Sequence, residues 1–174
     1  MADYLIIGNG VAGTTAAENI RKQDEDGTIT IITNEDVPFY YRVRLNELVS
    51  GEISEQDLIV KNEQWYEDLH IDLLLDMKVK KADPIKKEIV TEDKMNLSYN
   101  KLLIATGSHS FIPPIQGANK KGVFALRSIQ DARDIADYAN FLKENEDEVK
   151  ALLKDLELQS GGWFPYKHNN NNSR

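Results

Sequence analysis

YLIIGNGVAG, residues 4–13, decides how the rest of the chain is read. Residues 4–7 are a short apolar run with β-branched members, the pattern of a buried parallel strand. Gly8, Gly10 and Gly13 give G-x-G-x-x-G directly after it, and residues 11–22 follow with Ala-rich helical spacing. Each glycine has a physical role. Gly8 permits the tight strand-to-helix turn, Gly10 lets a pyrophosphate approach bare backbone, and Gly13 allows helix and strand to pack closely. The N–H groups opening the helix, including those of Val11 and Ala12, then face the phosphates. The glycine motif alone also fits a purely structural turn. Strand, helix and a suitably placed acid together point to a dinucleotide.

That acid lies beyond the first helix. A polar turn at 23–27 leads to a second strand at 28–33, TITIIT, and then to Asn34 and Glu35. Glu35 is 22 residues past Gly13, close to the roughly 20 expected for a ribose-binding carboxylate. A carboxylate is an acceptor-only group suited to two ribose hydroxyls; the alternative is a surface Glu in a turn. The loop that follows, DVPFYYRVRL at 36–45, holds one proline, three aromatics and two arginines. Such groups suit stacking on flat rings and pairing with phosphate. The competing reading is a core-anchored loop with solvated arginines.

Short helices are expected at 46–51, closed by Gly51, and at 61–69 with Trp65 and Leu69 on the inner face. From Ile71 the period changes. Residues 71–75, 77–81 and 87–91 are short strand candidates separated by turns such as Asp83-Pro84, which together read as an antiparallel meander crossover. Residues 99–105, YNKLLIA, form a further buried strand running into Thr106-Gly107. Small residues there let a ligand approach the carboxyl edge of the sheet. A helix is expected at 128–142, and a continuation of it or a second helix at 144–158, where Val149, Leu152, Leu153 and Leu156 make one apolar stripe facing core or partner. Residues 161–166, GGWFPY, are an aromatic patch, and disorder is expected from His168 onward.

Composition narrows the function classes. A chain of 174 residues suits one domain with a sizeable core. The net charge of −8 and the lack of a Lys/Arg stripe argue against nucleic acid. There is no cysteine, which removes disulfides, thiolate metal sites and iron–sulfur ligation by this chain. The strand beginning at Tyr4 leaves no room for a signal peptide, and no apolar run is long enough to cross a membrane, so the cytoplasm is the expected compartment.

Taken together, strand–GNGVAG–helix, the acid at Glu35, YYRVRL at 40–45, the meander and YNKLLIATG at 99–107 resemble the amino-terminal FAD-binding portion of the pyridine-nucleotide-dependent flavoprotein oxidoreductases. Within that family the chain is most similar to the cysteine-free branch, the NAD(P)H:rubredoxin oxidoreductases and the flavin modules of NAD(P)H nitrite reductases. The resemblance implies an α/β, Rossmann-like fold, a parallel sheet with a small antiparallel meander crossover and a helical C-terminal segment. It also implies FAD. The stretch Gly8, Asn9, Gly10, Val11, Ala12 and Gly13 would hold its pyrophosphate, and Asn34 and Glu35 would meet the adenosine ribose. Arg42, in Y-x-R-x-x-L, would pair with phosphates or the polar edge of the cofactor, and the Val79 backbone would meet adenine. Ala105, Thr106 and Gly107 would line the cofactor's middle, with Arg127 near the flavin. His109 follows that segment and is read as incidental.

The chain departs from the family after about residue 140. The later glycines Gly161 and Gly162 make no second fingerprint for NAD(P)H, and the usual return segment with a Gly-Asp turn is not found. The expected organisation is an incomplete FAD-binding domain at 1–140, a helical and aromatic segment at 141–166, and a disordered tail at 167–174. An open sheet edge in such a chain invites self-association or a complementary NAD(P)H-binding chain. The expected function is the FAD-binding part of an oxidoreductase passing electrons from NAD(P)H to a redox protein or centre. The rival readings are a non-catalytic FAD- or ADP-binding assembly module, and a residual fold that binds nothing.

Overall fold

The structure, a computed structural model, describes residues 1–151. The expected aromatic patch, the tail and residues 152–158 of the expected 144–158 helix, with Leu152, Leu153 and Leu156 of its apolar stripe, lie outside the described residues. The chain divides into two compact units, Met1–Ala132 and a second beginning at Arg133.

The first unit is built on a six-stranded sheet of order β3-β2-β1-β6-β5-β4. Its strands are β1 (Ala2–Ile7), β2 (Ile29–Ile32), β3 (Ile71–Leu74), β4 (Val79–Asp83), β5 (Glu88–Thr91) and β6 (Asn96–Ile104). β1 lies in the middle, parallel to β2 on one side and to β6 on the other, with Ile7 opposite both Ile32 and Ile104. Parallel strands need a crossover, and helix α1 (Val11–Gln23) supplies the one between β1 and β2. α1 packs its Ala17 with Ile6, Ile29, Ile31, Tyr66 and Ile71 in one fully buried cluster. Burial of each isoleucine contributes about 1.5–3 kcal/mol.

The opposite face of the sheet is covered by strands. Leu5, Ile7 and Ile32 share a cluster with Ile89 and Tyr99, with Ala82 and Leu97 packed against it. One corrected expectation concerns how this cover is made. Residues 71–74 do not belong to the meander: β3 pairs in parallel with β2 as the sheet's edge. The antiparallel set is β4, β5 and the first part of β6, where Glu88 pairs with Ser98 and Val90 with Asn96. β6 therefore begins three residues earlier than expected, because Asn96–Ser98 is pinned by β5 while Tyr99–Ile104 is pinned by β1. The outer edge, β4, carries exposed Lys80 and Lys81 and a register shift between Val79 and Lys81. Both features discourage the edge-to-edge pairing that an open edge invites.

Between β2 and β3 lie a 3₁₀ turn (Arg42–Arg44) and three short helices, α2 (Leu45–Ser50), α3 (Glu55–Leu58) and α4 (Glu63–Asp68). Gly51 closes α2 at φ +78°, as expected. α3 was not anticipated, although S-E-Q-D at 54–57 is a capping box: Ser54 and Asp57 cap each other's backbone N–H groups. On α4 the fully buried residue is Tyr66, with Trp65 and Leu69 only partly buried beside it. In the loop before α2, Phe39 and Tyr40 are buried, so the core-anchored reading applies to these two aromatics. Helix α5 (Ile129–Glu144) follows a long irregular connection; its Ile129 and Ala132 close a third cluster with Tyr40, Leu45 and Leu58. No helix among the described residues is long and apolar enough to cross a membrane. Nor, among them, is there a His/Cys/Asp/Glu group that could hold a metal ion.

Candidate cofactor-binding cleft

The carboxyl ends of β1, β2 and β6 open into one cleft of about 1040 Å³. Ligand sites of open α/β sheets lie at this edge. Every residue read from the sequence as a cofactor contact lines it except Gly13. Gly13 sits beneath: a Cβ there would fall 2.0 Å from the Gly8 carbonyl oxygen, so its role is the contact between α1 and the turn. Gly8 adopts φ +113°, and a Cβ on it would meet the Ala105 oxygen at 2.2 Å. The Ala105 N–H in turn donates to the Ile7 oxygen at 2.8 Å, tying the end of β6 to the glycine turn. Gly10 differs from both. Nothing lies within 4 Å of a Cβ placed there, so its missing side chain leaves open space.

Gly10 is also the N-cap of α1, with no side-chain cap and no acidic residue in the first turn. The first N–H groups of a helix have no partner within it, and they carry the positive end of its dipole. Next to them, Asn9 is buried at 7% exposure, and its Nδ2 has no hydrogen-bond partner among the described residues. Asn9 Oδ1 accepts from the Tyr66 hydroxyl at 2.9 Å, and that hydroxyl accepts from the Phe39 N–H at 3.1 Å. Burial raises the Tyr66 phenol above its ordinary range, so it stays neutral.

The opposite wall is made of side chains that satisfy one another. Arg42 grips the Glu35 carboxylate with Nη2 at 2.5 Å from Oε2 and Nη1 at 3.1 Å from Oε1. The Tyr40 hydroxyl donates to Glu35 Oε1 at 2.8 Å and accepts from Arg42 Nη1 and the Ile129 N–H, both at 2.9 Å. Burial first, then the bond to Glu35 and its negative charge, hold the Tyr40 phenol far above its ordinary range. Arg42 Nη1 also donates to the Arg127 carbonyl oxygen. The expected ribose acid and the expected phosphate arginine thus meet each other. A carboxylate has about four lone-pair sites, and three are used here, which leaves one on Oε2.

The remaining residues close the ends. Asp76 and Met77 fasten the β3–β4 connection to the Glu35 and Thr33 carbonyls, bringing Val79 to the rim. Arg127 reaches Ser108 beyond Thr106-Gly107, and His109 also lines the cleft. At the start of α5, Asp131 accepts from the Ser128 and Arg127 N–H groups. Burial works to raise its carboxyl, but those bonds, the Ser128 hydroxyl and the Arg42 charge hold it below the usual carboxylate range. Sequence reading missed Tyr40, Tyr66 and Asp131 as members of this site. The available signals were a tyrosine in the helix at 63–68, since a buried tyrosine needs a partner, and S-x-x-D at 128–131.

The family model described as pyridine nucleotide-disulphide oxidoreductase matches residues 2–141. The chain belongs to that family. Among curated relatives it is 38% identical over 128 residues to the nitrite reductase [NAD(P)H] of Bacillus subtilis, covering 73% of this chain and 16% of that one. It is 34% identical over 141 residues to the assimilatory nitrate reductase electron transfer subunit of the same organism, covering 80% and 18%. Among solved structures, NADH:rubredoxin oxidoreductase from Clostridium acetobutylicum superposes with a TM-score of 0.70 at 33% identity, covering 78% of this chain and 35% of that one. The chain therefore spans about a third or less of the length of these relatives. FAD is the cofactor of the family, and the residues present fit it: an uncapped helix start, an unpartnered buried amide donor and a turn open at Gly10 all suit an anionic pyrophosphate.

Proposed function

We propose that this chain is the FAD-binding part of an NAD(P)H-dependent flavoprotein oxidoreductase, which delivers electrons from NAD(P)H to a small redox protein or an associated redox centre. The observation that carries this reading is the cleft itself, where the glycine turn, the Glu35 wall and the end of β6 converge. The backbone N–H groups between Gly8 and Gly13, at the start of α1, hold the pyrophosphate. Asn34 and the free lone pair of Glu35 take the ribose, and the Val79 backbone borders the adenine. Arg42 fixes the Glu35 carboxylate and lies within reach of the cofactor's polar edge. Ala105, Thr106 and Gly107 flank its middle, and Arg127 stands at the flavin end. FAD, when bound, supplies hydride acceptance and the onward release of electrons singly or in pairs.

One glycine fingerprint is present in the 174 residues, so the nicotinamide site comes from another segment or a complementary chain. A relative 34% identical is named NADH-rubredoxin oxidoreductase, which supports a redox protein as the acceptor. A cytoplasmic location accords with that partner.

The test is a visible absorption spectrum of the full chain after incubation with FAD and gel filtration. Two retained flavin bands are expected, unbleached by NADH in this chain alone. A protein that emerges colourless would overturn FAD binding, and bleaching by NADH would overturn the assignment of the nicotinamide site elsewhere.

A further inference from the structure

The Asn9–Tyr66 pair carries more than the cleft's general shape. A backbone N–H can only donate, so the Phe39 N–H occupies one lone pair of the Tyr66 oxygen. The Tyr66 proton then needs an acceptor, and Asn9 Oδ1 at 2.9 Å provides it. Turning the Asn9 amide over would leave both the Tyr66 proton and Asn9 Oδ1 without these partners. The observed arrangement leaves a single atom over, Asn9 Nδ2, which is a donor. A buried donor without a partner is unfavourable until an acceptor reaches it. Asn9 lies between Gly8 and Gly10, on the wall of the cleft.

We infer that Tyr66, on α4 and remote in sequence from the glycine turn, is a positioning residue for cofactor binding. It locks the Asn9 amide so that Nδ2 donates to an anionic oxygen of the cofactor's pyrophosphate. The phosphate thereby satisfies the one buried polar side-chain atom that the described residues leave unpartnered. This inference rests on the proposed FAD site and adds a residue to it. It also explains why a tyrosine and not a phenylalanine fills this core position. The apolar cluster needs only the ring; the hydroxyl serves Asn9 and the Phe39 N–H.

The experiment measures the dissociation constants of FAD and ADP, with thermal unfolding followed in parallel, for the full chain and for Asn9→Ala, Asn9→Asp, Tyr66→Phe and the Asn9→Ala/Tyr66→Phe double variant. Hydrogen bonds to charged groups predict that Asn9→Ala weakens FAD and ADP by roughly tenfold or more. Tyr66→Phe should weaken both ligands several-fold in the parent chain and have no further effect once Asn9 is alanine, a non-additive cycle. Asn9→Asp keeps an acceptor for Tyr66 and so keeps its melting temperature, yet it binds more weakly than Asn9→Ala because the carboxylate faces the phosphates.

Additive losses in the cycle, or a Tyr66→Phe chain that melts lower but binds normally, would reduce Tyr66 to a packing residue. Weakened FAD with unaltered ADP would remove the pyrophosphate assignment. If the parent chain binds neither ligand, the cofactor reading itself fails; if the parent binds and all variants match it, only the present inference does.

Discussion

The two walls of the cleft solve opposite problems. The glycine wall, from Gly8 to Gly13 with Asn9, is made of main chain and one amide; its helix start is uncapped and its Asn9 Nδ2 unpartnered. The acidic wall of Glu35, Tyr40 and Arg42 is interlocked, and the Tyr40 hydroxyl makes all three bonds that a hydroxyl can make. An unsatisfied wall gains free energy when an anion arrives. A satisfied wall gains little, but it stands in place beforehand and lowers the ordering cost of binding. Affinity should therefore come mainly from the first wall, and orientation of the adenosine end mainly from the second.

Five substitutions test that division, from the largest effect to the smallest. Gly8→Ala and Gly13→Ala each drive a Cβ into backbone at 2.2 and 2.0 Å. Both should cost more than about 4 kcal/mol, the range reserved for severe steric defects; a chain that keeps its circular dichroism and melting point would contradict the geometry. Tyr40→Phe strands the Ile129 N–H and should cost about 2 kcal/mol.

The same variant has a pH signature. The Tyr40 phenol titrates higher in the folded chain than in the unfolded one. Its contribution to stability is thus complete below the unfolded value of about 10 and lost as pH rises towards the folded value. Urea midpoints at neutral and strongly alkaline pH should fall more steeply for the parent than for Tyr40→Phe. Parallel slopes would mean that the hydroxyl is not held as described.

Gly10→Ala places a methyl in open space, so stability should stay within about 0.5 kcal/mol while FAD affinity falls by about tenfold, or 1.4 kcal/mol. Affinity left intact would move the pyrophosphate away from Gly10. Glu35→Gln, in a partly exposed pair, should cost about 1 kcal/mol of stability and weaken FAD only a few-fold. A loss as large as that of Gly10→Ala would show that the acidic wall carries affinity as well as orientation.

Much of this arrangement is legible in the sequence because it is local. Strand, glycine turn, helix and Glu35 are contiguous, and each obeys a spacing set by backbone geometry. The strand candidates from Ile71 onward were legible as strands but not as partners. The alternation in IDLL is the same whether the neighbour runs parallel or antiparallel, and only the register with β2 decides it. Nor does helical spacing say that Tyr66, not Trp65, turns fully inward, because that depends on Asn9, 57 positions away. The Tyr40 bond to the Ile129 N–H spans 89 positions and left no local trace. Arg42 was legible as a candidate, and it lines the cleft; its grip on Glu35 was not legible, since both residues also suit a ligand.

β6 joins β1 across most of the chain: Ala2 pairs with Tyr99, and Ile7 with Ile104. Until residue 104 has left the ribosome, the central strand of the sheet is paired on one side only, and Leu5 and Ile7 have neither Tyr99 nor the rest of their cluster to pack against. Long-range pairing of this kind slows folding and prolongs exposure of apolar strand to other nascent chains. The glycine turn is translated well before β6, whose floor at Ala105 is among the later pieces of the unit to arrive. A cofactor can meet the complete cleft only once β6 is in place, and a chain that stops before position 104 lacks that floor.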